Sequence, residues 1–187
     1  MLKIIVSGIA IATLAGAALA AEVTGVKLDD KASVGGKELV LNGAGVRTRA
    51  VFKVYVGSLY LPAKASTAAG ALASAPRRVQ LNLLRNLSAD QLVDALVDGL
   101  KDNTADAEYA ALNAQTGQLV TIMKTFGEVK EGNVVTLDYV DGSTRIGLNG
   151  QPRGQVAGEP FNQALTRIWI GDKPVQADLK KAMLGGG

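Results

Sequence analysis

Arg47, Arg49, Lys53 and Tyr55 are the side chains of this sequence best placed to hold or stabilise negative charge. They fall in the segment Asn42 to Leu61, which is dense in β-branched and aromatic residues and reads as strand. Strands keep cations at their ends or on a wet face. A cation set along a core-forming strand points to an anion, or to a developing negative charge, as its partner. Arg47 suits that task because a guanidinium is permanently charged and grips a carboxylate through two parallel hydrogen bonds. The hydroxyl of Tyr55 can donate another to the same oxygen. In a regular strand residues 47, 49, 51, 53 and 55 share one face, so Arg47, Lys53 and Tyr55 converge, unless a bulge breaks the register. Each residue also has a plainer reading. Arg47 fits a surface arginine neutralised by a carboxylate, Arg49 and Lys53 fit a solvated face, and Tyr55 fits a core aromatic with a locally satisfied hydroxyl.

The composition narrows the chemistry. The chain has no His and no Cys. A thiolate nucleophile, a Ser-His-Asp relay, a His-ligated zinc and a His-ligated haem are thereby excluded. No metal or other cofactor is expected. The glycines at 43 and 45 are expected to join strands rather than open a helix, so they are not read as a phosphate cradle. A formal net charge of +3 over 187 residues is too balanced to argue for nucleic acid or an anionic membrane surface as a partner.

The beginning of the sequence reads as a secretory leader. Lys3 is followed by an almost wholly apolar or small run, closed by Ala18-Leu19-Ala20 as a cleavage site. Residues 1–20 are thus expected to be a signal peptide and residues 21–187 a single exported domain, periplasmic, with no membrane span after cleavage. Without cysteine, that domain must rely on its core.

Periodicity supplies the elements. Residues 22–28 read as a first strand and 29–36 as a polar turn region. Strands over 37–41 and 46–61 are expected to meet at a turn over Asn42–Gly45. Ala-rich residues 66–74 fit a short helix, and alternation at Val79, Leu81 and Leu83 gives another strand. Ser88 and Gln91 form a capping box ahead of a helix with Leu92, Val93, Leu96 and Leu100 on its apolar face. Thr104 is expected to cap a second helix facing the core with Leu112, Leu119, Ile122, Met123 and Phe126, interrupted near Gly117. Strands over 133–140 and 143–148 flank the turn Asp141-Gly142, and a short strand near 154–157 follows Asn149-Gly150. Helices over 160–170, where Trp169 packs on the sheet, and 177–184 complete the chain. Strands at both ends with helices between and after them describe an α+β protein with an antiparallel sheet.

Two segments carry a resemblance. Gly43-Ala44-Gly45 and Arg47 followed by Val51-Phe-Lys-Val-Tyr-Val-Gly-Ser-Leu-Tyr-Leu61, together with Pro160-Phe161 through Trp169, Gly171, Pro174 and Val175, resemble the chalcone isomerase-like family, and within it the bacterial exported branch. The resemblance implies an open-faced β-sandwich: a large curved antiparallel sheet, a layer of helices on one face, and a ligand cleft between them. In the family's plant enzymes the matching arginine polarises the substrate, and in non-catalytic relatives an arginine and a tyrosine hold a fatty-acid carboxylate. Arg47 matches that arginine. Tyr55 falls where the enzymes carry a threonine, Leu87 falls where they carry a catalytic tyrosine, and a nearby asparagine position falls on Val93 or Asp94. The expectation is an exported, non-catalytic protein that binds a small amphipathic acid, with a fatty acid as the best fit and Arg47, Tyr55 and Lys53 as ligand-binding residues. An isomerase or lyase in which Arg47 stabilises an oxyanion is the alternative. A structural or partner-binding protein of the cell envelope, its cleft closed by core side chains, is the third reading.

Overall fold

The computed structural model describes residues 21–186, so the leader expected over residues 1–20 lies outside the described residues. In chain order the strands and helices are β1 (Ala21–Val23), β2 (Val26–Leu28), β3 (Lys31–Val34), β4 (Lys37–Arg49), β5 (Phe52–Leu61), α1 (Ala68–Ala73), β6 (Arg77–Leu83), β7 (Leu87–Ser88), α2 (Ala89–Asp102), α3 (Asp106–Ala111), α4 (Asn113–Lys124), β8 (Glu128–Val129), β9 (Val134–Val140), β10 (Ser143–Leu148), β11 (Gln151–Ala157), α5 (Glu159–Ile170) and α6 (Ala177–Met183).

Seven strands form one antiparallel sheet in the order β11-β10-β9-β6-β5-β4-β3. Its two faces bury separate apolar clusters. On one, Leu59, Val79, Leu81, Leu83, Leu137 and Ile146 meet Leu92, Leu96, Leu119, Phe161 and Leu165 from the helices. On the other, Leu39, Val56 and Tyr60 are covered by Leu28 and its neighbours from the small β1–β2 hairpin. Helices lie on one face only, as the expected open-faced α+β sandwich requires. The capping box forms, with Gln91 N–H donating to Ser88 Oγ at 3.1 Å and Ser88 N–H to Gln91 Oε1 at 3.0 Å. Leu92, Val93, Leu96 and Leu100 of α2 are all buried.

The largest departure from the sequence reading concerns residues 42–45. They are not a turn: β4 runs straight through them, and the hairpin reverses at Ala50-Val51. The glycines answer to a helix. A Cβ on Gly43 would lie 2.0 Å from the Ala182 carbonyl oxygen, and one on Gly45 2.8 Å from the Ala182 methyl. Helix α6 therefore rests directly on the backbone of β4, which only residues lacking a side chain permit. Asn42 sits at a register shift between β4 and β5 and turns its amide inward. Its Nδ2 donates to the carbonyls of Ala65 (2.9 Å) and Met183 (2.7 Å), and its Oδ1 accepts from Ala65 N–H (2.7 Å), pinning the end of α6 to the sheet.

Smaller corrections follow the same logic. Residues 22–28 are a tight hairpin, not one strand, because Thr24 and Gly25 both take positive φ. The supposed turn region 29–36 contains β3, which pairs with the start of β4. Thr104 does not cap α3. Its hydroxyl instead donates to the Leu100 carbonyl at 2.7 Å, and α3 starts after Ala105 with no side-chain cap. The helical stretch that follows breaks at buried Leu112 rather than at Gly117, and β11 begins earlier than expected, at Gln151.

Candidate functional site

At the hairpin's far end the sheet and the helices part. Between them lies a cavity of about 830 Å³, within the usual size range of small-molecule sites. Hydrocarbon from Val54, Leu81, Leu92, Leu96, Ile168 and Val175 lines it, together with Trp169 and Tyr55. Arg47, Arg49, Arg85 and Lys173 contribute positive charge. Asp94, Asp98 and Asp102, one turn apart on α2, contribute negative charge from the opposite wall. Among the described residues, none of these charged groups is joined to another in an ion pair.

Arg47 and Tyr55 lie on adjacent strands rather than along one, and they are directly opposed in the register of β4 and β5. The pairing then slips: Thr48 faces Lys53, leaving Val54 extra. That bulge is the event that undoes the expected convergence. It keeps Val54 and Tyr55 on the cavity and moves Lys53 out of phase. Lys53 is exposed and does not line the cavity, whereas Arg49 and Phe52, opposed beyond the bulge, do. The structure thus brings Arg47 and Tyr55 together and leaves Lys53 apart.

Arg47 is half-buried. Its Nη1 donates to the Thr48 carbonyl and, at 3.3 Å, to Gln176 Oε1. Its Nε and Nη2 have no hydrogen-bond acceptor among the described residues, so much of the guanidinium fork is free for an incoming acceptor. Gln176, just before α6, is the contributor that periodicity could not reveal. Its Oε1 accepts from Thr48 N–H at 2.8 Å and its Nε2 donates to the Val46 carbonyl at 3.1 Å. The side-chain amide copies the hydrogen bonding of a neighbouring strand on an edge of β4 that β3 does not reach, and it steadies Arg47 as it does so.

Tyr55 is 8% exposed, and its hydroxyl accepts a hydrogen bond from Trp169 Nε1 at 2.9 Å. It donates to no described residue, so its proton is available to another acceptor. Burial pushes the phenol up to about 12, against smaller opposing effects from the Trp169 hydrogen bond and the Arg47 charge. At neutral pH the group is a donor and not a base. Trp169 packs α5 on the sheet as expected and also forms cavity wall. Among the described residues no cluster of metal-ligating side chains occurs. The arrangement can therefore do one thing well: accept an oxyanion or polarised carbonyl between a guanidinium and a neutral hydroxyl, with apolar space beside it.

Comparison with known proteins agrees with the architecture. A family model described as chalcone isomerase-like matches residues 20–185. Among solved structures, the crystal structure of a fatty-acid binding protein of Arabidopsis thaliana superposes with a TM-score of 0.70 at 13% identity, covering 86% of this chain and 92% of that one. At that identity the likeness is one of fold. No curated protein matches the sequence.

Proposed function

Because this chain belongs to the chalcone isomerase-like family, we propose that it binds a small amphipathic acid, such as a fatty acid, without transforming it. The acid group would sit at Arg47 and Tyr55, and the hydrocarbon would fill the cavity between sheet and helices. One observation carries this reading: a cavity of about 830 Å³, walled partly by hydrocarbon, that contains a half-buried guanidinium with no carboxylate partner among the described residues. The structural neighbour, itself described as a fatty-acid binding protein, supports it. The cavity also speaks against the filled cleft of the third reading.

Catalysis has weaker support. The position that the family resemblance assigns to the enzymes' tyrosine is Leu87, and this residue lies on the cavity wall, where it offers hydrocarbon rather than a proton donor. Tyr55 stays protonated far above neutral pH. We also propose that the chain belongs to the bacterial exported branch of the family and works in the periplasm after loss of residues 1–20.

Trp169 is the single tryptophan of the chain and lines the cavity, so its fluorescence reports occupancy. Titration with oleate is expected to change its emission saturably, and Arg47→Ala is expected to weaken binding about 10- to 100-fold. No saturable change in wild type, or equal binding by the variant, would reject the proposal. Loss of chalcone absorbance that depends on Arg47 would favour the isomerase instead.

A further inference from the structure

Hairpin turns that need positive φ ordinarily use glycine, asparagine or aspartate. The β4–β5 hairpin does not. Ala50 adopts φ 52 and is followed by Val51 and Phe52, the exposed large hydrophobic residues of the described structure at 84% and 57% accessibility. Turn geometry does not call for these side chains, and folding leaves them in water. Both stand at one tip, on the rim of the cavity that Ala50 and Phe52 help to line.

Cations surround that tip. Arg49 and Lys53 flank it in sequence, and Arg85 lies over the Phe52 ring at 4.9 Å. From Arg47 to Lys53 there is no acidic residue. The acidic residues that line the cavity, Asp94, Asp98 and Asp102, are carried by α2 and not by the hairpin. An apolar point ringed by positive charge matches the surface of an anionic bilayer, where hydrocarbon enters the acyl boundary and cations meet phosphate. A soluble protein partner would have to supply both an apolar socket and a ring of acids. A bilayer supplies both everywhere.

We propose that the tip of the β4–β5 hairpin docks the protein on anionic phospholipid membranes, with the cavity rim at the lipid surface and the acidic flank of α2 held away from it. The proposal gives the lipid-binding reading a route for the ligand and rests on that reading only for its purpose. The test is sedimentation of the chain from Ala21 on, which contains the whole fold described above, with vesicles of mixed phosphatidylglycerol and phosphatidylethanolamine or of phosphatidylcholine alone. Binding is expected to the anionic vesicles and to weaken with added salt. Val51→Asp is expected to lower it about ten-fold or more, and Lys53→Glu at least about five-fold. Neither residue lines the cavity, so both variants are expected to keep wild-type affinity for oleate by Trp169 fluorescence. Failure to bind anionic vesicles at low ionic strength, or equal binding by Val51→Asp, would overturn the proposal. Self-association in solution that Val51→Asp abolishes, in the absence of vesicle binding, would overturn it too and assign the tip to a second copy. Vesicle binding without oleate binding would uphold the docking surface while removing the proposed cargo.

Discussion

Two arginines divide this molecule into a region that is finished and one that is not. Arg77, at the start of β6, is 1% exposed. Its Nε donates to Asn162 Oδ1 at 2.7 Å, and its Nη1 donates to the carbonyls of Leu72 (2.8 Å) and Ser74 (2.9 Å). The face of the Tyr139 ring lies 4.4 Å away. Asn162 is held in turn by Thr144 and Thr166. Arg47 is less buried, also has a tyrosine companion, and commits only one nitrogen. A buried cation is thus no sign of a ligand by itself: Arg77 is the deeper of the two, its Nε and Nη1 are committed to carbonyl oxygens, and its Nη2, which has no acceptor, is enclosed by the core rather than facing a cavity. The informative feature is a set of unused donors facing space. A cation on a core strand does not by itself require an anionic partner, because neutral carbonyls and an aromatic face can take the anion's place.

The difference can be broken at either end. Arg77→Met should be the more damaging change to the fold, costing about 3–5 kcal/mol because it strips donors from several buried acceptors. Urea unfolding measures this, and a cost near zero would mean that Arg77 is not the cross-link described. A pH series probes the tyrosine beside the other arginine. The folded-state pKa of Tyr55, about 12, lies above the value of 10.0 for a free phenol. Its contribution is fully present below about pH 10 and is lost as pH rises through about 12, amounting to about 2–3 kcal/mol. Melting curves of Tyr55→Phe should accordingly lose less stability than wild type across that window. Arg47→Ala should leave urea stability within about 1 kcal/mol while lowering oleate affinity as given above, the reverse of the Arg77 pattern. The smallest effect belongs to Lys53→Ala, for which oleate affinity should stay within about two-fold of wild type, because the bulge has turned that residue away. A larger loss would return Lys53 to the site.

Local signals were readable wherever a residue serves its own neighbourhood. The capping box at Ser88, the apolar face of α2, the Asp141-Gly142 turn and the alternation of β6 all form as their spacing predicts. Residues whose partners lie far along the chain misled. Gly43 and Gly45 resemble turn glycines but make room for α6, whose contacts with Asn42 span 141 positions. Ala50-Val51 carries no turn signature and yet reverses the chain. Part of the candidate site was legible: Arg47 and Tyr55 do stand together, although as a cross-strand pair rather than along one strand. The bulge that excludes Lys53 and the amide of Gln176 depend on pairings that no short window of sequence encodes.

The glycine trough also has a consequence for how the protein is made. A ribosome delivers β4 and β5 long before residues 177–183, so the hairpin must wait with a bare strip of backbone where the last helix will rest. The final short helix is therefore the last cover that β4 receives in chain order, and the amide that steadies the guanidinium arrives with it.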